Sequence, residues 1–198
     1  MAVSPTPQQN LAIELNGICH RTFLTHAIFE RREAILGRRI KLVGYMGVVV
    51  PGIVGLVAMA VGSDSKLPSY LFVVASVLLG IQFVVALLGT FMRWDELFGQ
   101  AARSEEANMA LYREADWSFR QFATLPNPVD EVRRLRDRES ELMRTDYRQQ
   151  ITEQEKRFGE RSAHYQRQTK CSICGQIPKS LAASGDCDTC GNFKLGKW

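Results

Sequence analysis

Four cysteines near the end of the sequence form two identical pairs. Cys171 and Cys174 make the first CxxC pair, Cys187 and Cys190 make the second, and 12 residues separate them. A glycine follows each pair directly, and its backbone freedom lets the chain turn so that amide groups point at a thiolate. Two such pairs supply the four thiolates of one tetrahedral Zn²⁺ site. The spacing therefore predicts a four-cysteine zinc ribbon over residues 171–198, with structural Zn²⁺ as its cofactor.

Other cysteine chemistry fits this pattern less well. Disulfides are rare in reducing compartments, and a redox dithiol needs only one CxxC pair. Because sulfur would fill all four positions, the zinc would have no open position for water and no catalytic role. A module this small depends on its metal to fold, and we expect it to dock a partner. Its candidate docking residues are Lys179, Phe193, Lys194, Lys197 and Trp198.

The remaining chemically capable residues form no catalytic motif. His20, His26 and His164 lie outside any HExxH pattern, and the sequence contains no serine elbow and no phosphate-binding glycine loop. Lone histidines in such positions are more often structural than ligands. The fifth cysteine, Cys19, is expected to be a packed core residue. The sequence thus predicts a protein that is not an enzyme.

Two long apolar segments form the centre of the chain. Residues 42–61 and 67–92 contain no charged residue, and the five residues 62–66 link them. A helix needs roughly 20 apolar residues to cross the hydrocarbon core of a bilayer. Both segments satisfy this requirement, and the short link makes them antiparallel. The predicted fold class is an all-α membrane protein: an antiparallel two-helix transmembrane hairpin with long cytoplasmic helices and a small C-terminal zinc ribbon.

These boundaries divide the chain into five segments. They are a cytoplasmic amphipathic helix in 1–41, the hairpin in 42–92, a cytoplasmic helical extension in 93–125, a charged helical arm in 126–170 and the ribbon in 171–198. Apolar periodicity predicts the helices themselves at Leu11–Arg39, at Asp95–Thr124 and from Asp130 to about Gln168. The arm carries 11 basic and 9 acidic residues between Val129 and Lys170. This balance indicates a solvated spacer or an oligomerisation element and gives only weak support to nucleic-acid contact.

Basic residues indicate the orientation of the hairpin. They flank the two apolar segments on their terminal sides, whereas the link offers only Lys66, offset by Asp64. The flanking residues are Arg31, Arg32, Arg38, Arg39, Lys41, Arg93 and Arg103. The positive-inside rule therefore places both termini in the cytoplasm. The first apolar run is too long for a signal peptide. The sequence predicts a multi-pass protein of a bacterial inner membrane, with membrane lipid as a partner.

Small and polar residues inside the apolar segments are candidates for helix packing or for lining a pore. The first segment contains Gly44, Gly47, Gly52 and Gly55, and small side chains let membrane helices approach closely. Gln82 lies near the centre of the second segment, where its amide would face a partner helix or a hydrated path. An interhelical hydrogen bond and a pore lining both remain open. Since two helices cannot enclose a channel, conduction would require a homo-oligomer.

The layout from about Leu11 to Phe122 resembles the SLATT family of bacterial defence effectors. It is also similar in size and plan to the two-transmembrane effectors of retrons. The ending, CSICG followed by CDTCG, resembles that of small paired-cysteine membrane proteins of mobile genetic elements, in which the gap between the pairs is one residue shorter.

These resemblances imply a membrane-disrupting toxin, pore-forming or depolarising, in an anti-phage (abortive infection) system. A sensor or inhibitor complex would keep it inactive. That complex would be a reverse transcriptase with its RNA-linked DNA, or a nucleotide-signalling enzyme system. The residues leave an alternative open: a non-enzymatic membrane-anchored adaptor that recruits a protein or nucleic acid through its zinc ribbon.

Overall fold

The computed structural model describes residues 6–61, 69–185 and 187–194. The link at 62–66 and the docking candidates Lys197 and Trp198 lie outside these ranges. The elements are α1 (Pro7–Val61), α2 (Ser69–Phe91), α3 (Trp94–Arg120), a 3₁₀ helix (Phe122–Thr124), α4 (Pro128–Tyr147) and α5 (Glu153–Arg167). None of the described residues forms a β-strand. The prediction of an all-α protein is confirmed.

The chain divides into two compact units. We call residues 1–32 with 101–198 the helical unit, and residues 33–100 the apolar unit. The two helices predicted at Leu11–Arg39 and at residues 42–61 belong to one uninterrupted helix, α1. No strong stop signal separates them, since Gly37 costs a helix only about 1 kcal/mol.

The core of the helical unit is formed by α1, α3 and α4. Its fully buried members share an apolar character and a 3–4 spacing along their helices. They are Leu15, Ile18, Cys19, Leu111, Ala115, Val132 and Leu135. Cys19 is completely buried, which confirms it as a core residue and raises the pKa of its thiol to about 11.

The helix predicted from Asp130 to about Gln168 is in fact two helices. Between α4 and α5 the chain passes through Gln150, whose φ is +49°. Thr152 then begins α5 with a capping box, in which its hydroxyl accepts from the Glu155 N–H while the Glu155 side chain accepts from the Thr152 N–H. This reciprocal pair satisfies backbone donors that a continuous helix would satisfy internally. The single-helix prediction is therefore wrong.

Helix α4 is not a solvated spacer. Its thin apolar stripe, Val132 and Leu135, is fully buried in the core. Its charged residues are also used: Glu139 accepts two hydrogen bonds of 2.7 Å from the Arg21 guanidinium, and Asp146 accepts one of 2.9 Å from the Asn108 amide. Paired in this way, charged side chains can be buried at a modest cost. The high charge content had concealed a packed helix.

The apolar unit contains most of the candidate membrane sequence. Two helical stretches, Pro7–Leu56 and Val73–Phe91, are long and apolar enough to cross a membrane by length and composition. Almost none of their most apolar part is buried in the structure. Within this unit the Arg39 guanidinium lies 5.4 Å from the centre of the Trp94 ring, a cation–π distance.

Candidate metal centre

The four predicted ligands converge. The sulfur atoms of Cys171, Cys174, Cys187 and Cys190 all lie within 4.8 Å of one another, and the sulfurs of Cys174 and Cys190 are 3.8 Å apart. Zn–S bonds of about 2.3 Å in a tetrahedron place sulfurs roughly 3.8 Å apart. Three of the thiols are buried and Cys174 is half-buried. Four soft sulfur donors at this spacing fit a structural Zn²⁺ ion.

Each CxxC pair is closed into a knuckle by its glycine. The Gly175 N–H donates to the Cys171 carbonyl at 2.9 Å, and the Gly191 N–H donates to the Cys187 carbonyl at 2.8 Å. The two glycines are needed for different reasons. Gly175 has a φ of +68°, whereas a Cβ on Gly191 would collide with the Ser184 hydroxyl and lie 3.0 Å from the Cys187 backbone nitrogen. Position 175 requires a positive φ, which glycine adopts without strain, and position 191 has no room for a side chain.

Backbone dipoles prepare one of the thiols for a metal. Amide groups of Cys190 and Thr189 lower the pKa of Cys187 to about 7. Burial has the opposite effect on Cys190, whose pKa is raised. Because the thiolate is the ligand form, a bound cation would have to favour ionisation of the buried sulfurs. Zn²⁺ would supply that charge and would hold the two knuckles together.

Arg161 of α5 fastens the ribbon to the helices of its unit. This side chain is buried, and it donates to the carbonyls of Ser180 at 2.8 Å and Cys190 at 3.1 Å. It also donates to the Ser184 hydroxyl at 3.3 Å. One guanidinium therefore forms hydrogen bonds both with the segment between the knuckles and with the second knuckle. Sequence reasoning missed Arg161, since a single arginine in a charged helix carries no distinguishing signal.

Phe193 is a second attachment point. Its ring meets the Phe158 ring edge to face, with 5.9 Å between centroids, and both pack against Ala27 of α1. Phe193 is only 7% exposed, so the prediction that it docks an external partner is wrong. An aromatic side chain in so small a module packs against the nearest apolar residues, and here these belong to the same chain.

Helix α5 lies against α1 at very short range. A Cβ on Gly159 would lie 2.9 Å from both the side chain and the carbonyl oxygen of Leu24, so only glycine fits. Next to it, the Arg31 guanidinium lies 5.1 Å from the centre of the Phe158 ring. The adjacent Phe158 and Gly159, in an otherwise polar helix, were the available signal for this contact.

The four candidate packing glycines in the apolar part of α1 fall into two groups. Among the residues that the structure describes, an added Cβ would meet nothing within 4 Å at Gly44, Gly52 and Gly55, whereas at Gly47 it would lie 3.9 Å from the Gln82 side-chain nitrogen. The Gln82 oxygen is buried and has no hydrogen-bond partner among the described residues. The structure therefore brings Gly47 and Gln82 together and leaves the other three glycines with open space.

The fold and the site define a class: a helical protein with two helices long and apolar enough to cross a membrane, ending in a four-cysteine cluster able to bind a metal. A family model described as "Mobilome CxxCx(11)CxxC protein" matches residues 14–193. The chain belongs to this mobilome family. Its gap of 12 residues between the pairs is one longer than the family description, yet the four sulfurs still converge. Neither the curated proteins nor the solved structures gave a significant match.

Proposed function

We propose that this protein is an effector of a bacterial anti-phage defence system that breaches the inner membrane. In this proposal a partner complex keeps it inactive, and its release causes growth arrest or death. The observation that carries the proposal is the exposure of the apolar unit. Side chains such as Val48 (76%), Met59 (80%) and Phe91 (79%) face outward. Soluble proteins rarely expose apolar patches larger than a few hundred Å², and hydrocarbon would cover these.

The proposed arrangement is an antiparallel hairpin with both termini in the cytoplasm. It rests on the arginines and lysines that flank the apolar segments, since the K/R bias sets orientation. A cytoplasmic location also keeps the four thiols reduced and available for Zn²⁺. The helical unit and the ribbon would then form the part of the protein that a cytoplasmic partner can reach.

Assembly of several copies is the proposed active form. The open space beside Gly44, Gly52 and Gly55 would let the backbone of another copy approach α1 closely. The unpartnered oxygen of Gln82 needs a donor from a neighbouring helix or from water. Both features fit a homo-oligomer in which a hydrated path forms between copies.

The proposed partner is a sensor complex, either a reverse transcriptase with its RNA-linked DNA or a nucleotide-signalling enzyme system. Support comes from the resemblance to SLATT and retron effectors and from membership in a mobilome family. The partner would clamp the helical unit or the ribbon, which lie outside the apolar segments, and would release them on infection.

Membrane potential tests the proposal. A voltage-sensitive dye is followed in bacteria induced to express the full chain, and we expect depolarisation before viability falls. Gly52→Leu and Gln82→Leu should suppress it, whereas Val48→Leu, a lipid-facing change on the same helix as Gly52, should not. Equal membrane levels of the variants are checked by immunoblot. If Gly52→Leu and Gln82→Leu both depolarise like the parent chain, the pore arrangement is wrong.

A membrane-anchored adaptor is the second candidate, and one observation favours it. The ribbon exposes three aliphatic side chains, Ile173 (71%), Ile177 (38%) and Leu181 (46%), a composition suited to a protein partner more than to nucleic acid. An adaptor should keep its activity when an unrelated two-helix hairpin replaces residues 42–92. A pore-forming effector should lose it.

A further inference from the structure

Three side chains outside the cysteine cluster also converge. His20 of α1 and Glu160 and His164 of α5 place their ligand atoms within 4.8 Å of one another. The His20 Nε2 lies 2.8 Å from Glu160 Oε2, and the same oxygen lies 3.7 Å from His164 Nε2. The two imidazole rings are 4.8 Å apart between centroids and are tilted by 50°, so neither stacks flat on the other.

We propose that His20, Glu160 and His164 form a second metal site, for a divalent first-row transition ion such as Zn²⁺. Two imidazole nitrogens and one carboxylate oxygen are a recognised zinc ligand set that keeps a fourth position open for water. Bonds of about 2.0–2.1 Å in a tetrahedron place such donors roughly 3.3 Å apart. The observed separations of 2.8 and 3.7 Å lie on either side of this value.

The local structure holds the three donors in place. Glu160 and His164 are one helical turn apart on α5 and therefore share a face. The close approach of Gly159 to Leu24 fixes this face against α1, which carries His20. Thr169 contacts the other nitrogen of His164, with 3.0 Å between its hydroxyl and Nδ1, and so orients Nε2 toward the cluster. Such outer contacts fix the tautomer of metal-binding histidines.

The surrounding charges are compatible with a cation. A neutral imidazole is the form that binds a metal, and the burial of His164 disfavours the charged form. The Arg167 guanidinium is engaged by the carbonyl and side-chain oxygens of Asn16, at 3.0 and 2.6 Å. As metal ligands, one carboxylate and two neutral imidazoles would carry one negative charge, which suits a divalent cation.

An ion pair alone accounts for only part of the geometry. It explains the 2.8 Å contact between His20 and Glu160, but it leaves His164 Nε2 facing the same oxygen at 3.7 Å, beyond hydrogen-bond range. A metal uses all three donors. The site is also reachable, because the side chains of Glu160 and His20 are 30% and 21% exposed. A bound ion would cross-link α1 to α5, independently of the proposed membrane activity.

Metal counting tests the proposal on the full chain purified in detergent. After metal removal and equilibration with Co²⁺, or separately with Zn²⁺, we expect two ions per chain by mass spectrometry. With Co²⁺, the four-cysteine site should give intense thiolate-to-metal charge-transfer absorption, and the second ion only weak visible bands. The N/O ligands of this site also make it the weaker of the two for a soft-binding ion.

Substitutions assign the second ion. Glu160→Gln and His164→Ala should each reduce the count from two to one and leave the thiolate band unchanged, which also reports that the ribbon has folded. Cys171→Ser, which leaves three thiolates, should weaken and shift the thiolate band and retain the second ion. Thr169→Val, which removes only the outer contact, should weaken the second site by about 10–100-fold. Glu153→Gln is the matched control on the exposed surface of the same helix and should retain both ions.

Two results would overturn the second site. The first is a single ion per chain in the parent protein at saturating Co²⁺ and Zn²⁺. The second is a two-ion count that persists in both Glu160→Gln and His164→Ala, which would place the second ion elsewhere.

Discussion

Leu15, Leu111 and Leu135 of the helical unit are fully buried, whereas Val48, Met59 and Phe91 of the apolar unit are at least three-quarters exposed. Both units are built mainly from helices, and the difference lies in what covers their apolar side chains. The helical unit buries its apolar side chains against one another and also contains paired charges such as Arg21 with Glu139. The apolar unit leaves many of its apolar side chains exposed. One unit therefore contains its own source of stability, whereas in our proposal lipid or another copy of the chain covers the other.

The largest expected effect concerns the metal. Cys187→Ser, or a strong chelator, should unfold the ribbon, since structural zinc contributes about 10–16 kcal/mol in isolated zinc-finger peptides. Hydrogen exchange should show lost protection at residues 171–194 and persistent protection in the α1–α3–α4 core. Cys19→Ala, at the cysteine outside the cluster, should leave zinc content intact. Unchanged ribbon protection after complete metal removal would contradict a metal-dependent fold.

A matched pair of leucines tests the contrast directly. Leu135→Ala in the core should cost about 2–5 kcal/mol through lost contacts and a cavity. Leu56→Ala, at a side chain that is 68% exposed, should leave stability nearly unchanged in detergent or lipid. Denaturant unfolding followed by circular dichroism measures both. Equal losses at the two positions would mean that α1 is packed along its apolar part as tightly as in the core.

The attachment of the ribbon should show a smaller effect. Arg161→Met removes three donated hydrogen bonds and leaves the buried Cys190 carbonyl short of a donor, at about 1–3 kcal/mol. We expect zinc affinity to fall by roughly ten-fold or more, because every 1.4 kcal/mol corresponds to a factor of ten. The control is Arg157→Met, because the Arg157 side chain makes one hydrogen bond to the Asn192 carbonyl and an ion pair of 4.0 Å with the exposed Asp188, and neither contacts a cysteine. Identical zinc titrations for the parent and Arg161→Met would show that zinc affinity does not depend on the hydrogen bonds between Arg161 and the ribbon.

The smallest effect is a pH dependence. Burial alone would raise the pKa of Glu155, but the Arg32 guanidinium and the cap at Thr152 hold it below the ordinary value of 4.5. Stability from this ion pair is therefore present above that value and is lost as the pH falls through the lower folded-state pKa. Glu155→Gln should lower stability at pH 7 and flatten its decline in this acidic range. An unchanged slope in acid titrations of thermal unfolding would show that the pair contributes nothing.

The sequence predicted what depends on local pattern. The CxxC pairs identified the four thiols that converge in the structure, because two knuckles of fixed spacing leave few other ways to use four thiols. The apolar runs gave the two candidate membrane helices. What escaped prediction depends on contacts between distant segments: Arg161 with the ribbon, Phe158 with Phe193, and Glu160 with His20. In each case the partners lie on different elements of the fold, and no short-range pattern links them.

Two errors had identifiable physical causes. A helical pattern continues on both sides of the break between α4 and α5 and therefore predicts one helix. The signal for the break is the pair Thr152 and Glu155, which form a capping box. Charge dominates the composition of helix α4, and this composition alone favours the interpretation as a spacer. A thin apolar stripe such as Val132 and Leu135 is sufficient to pack the helix when neighbouring helices supply the rest of the core.

The uneven burial of the cysteines has a kinetic consequence. Cys171, Cys187 and Cys190 are enclosed, whereas Cys174 is half-open, so an incoming ligand can replace only one of the four sulfurs without first undoing the ribbon. With Zn²⁺ bound to the four cysteines, metal exchange should therefore begin at Cys174, through a state in which three thiolates and one external donor share the ion. The same opening makes Cys174 the first thiol that an oxidant or an electrophile would reach, and its loss would set the lifetime of the bound metal.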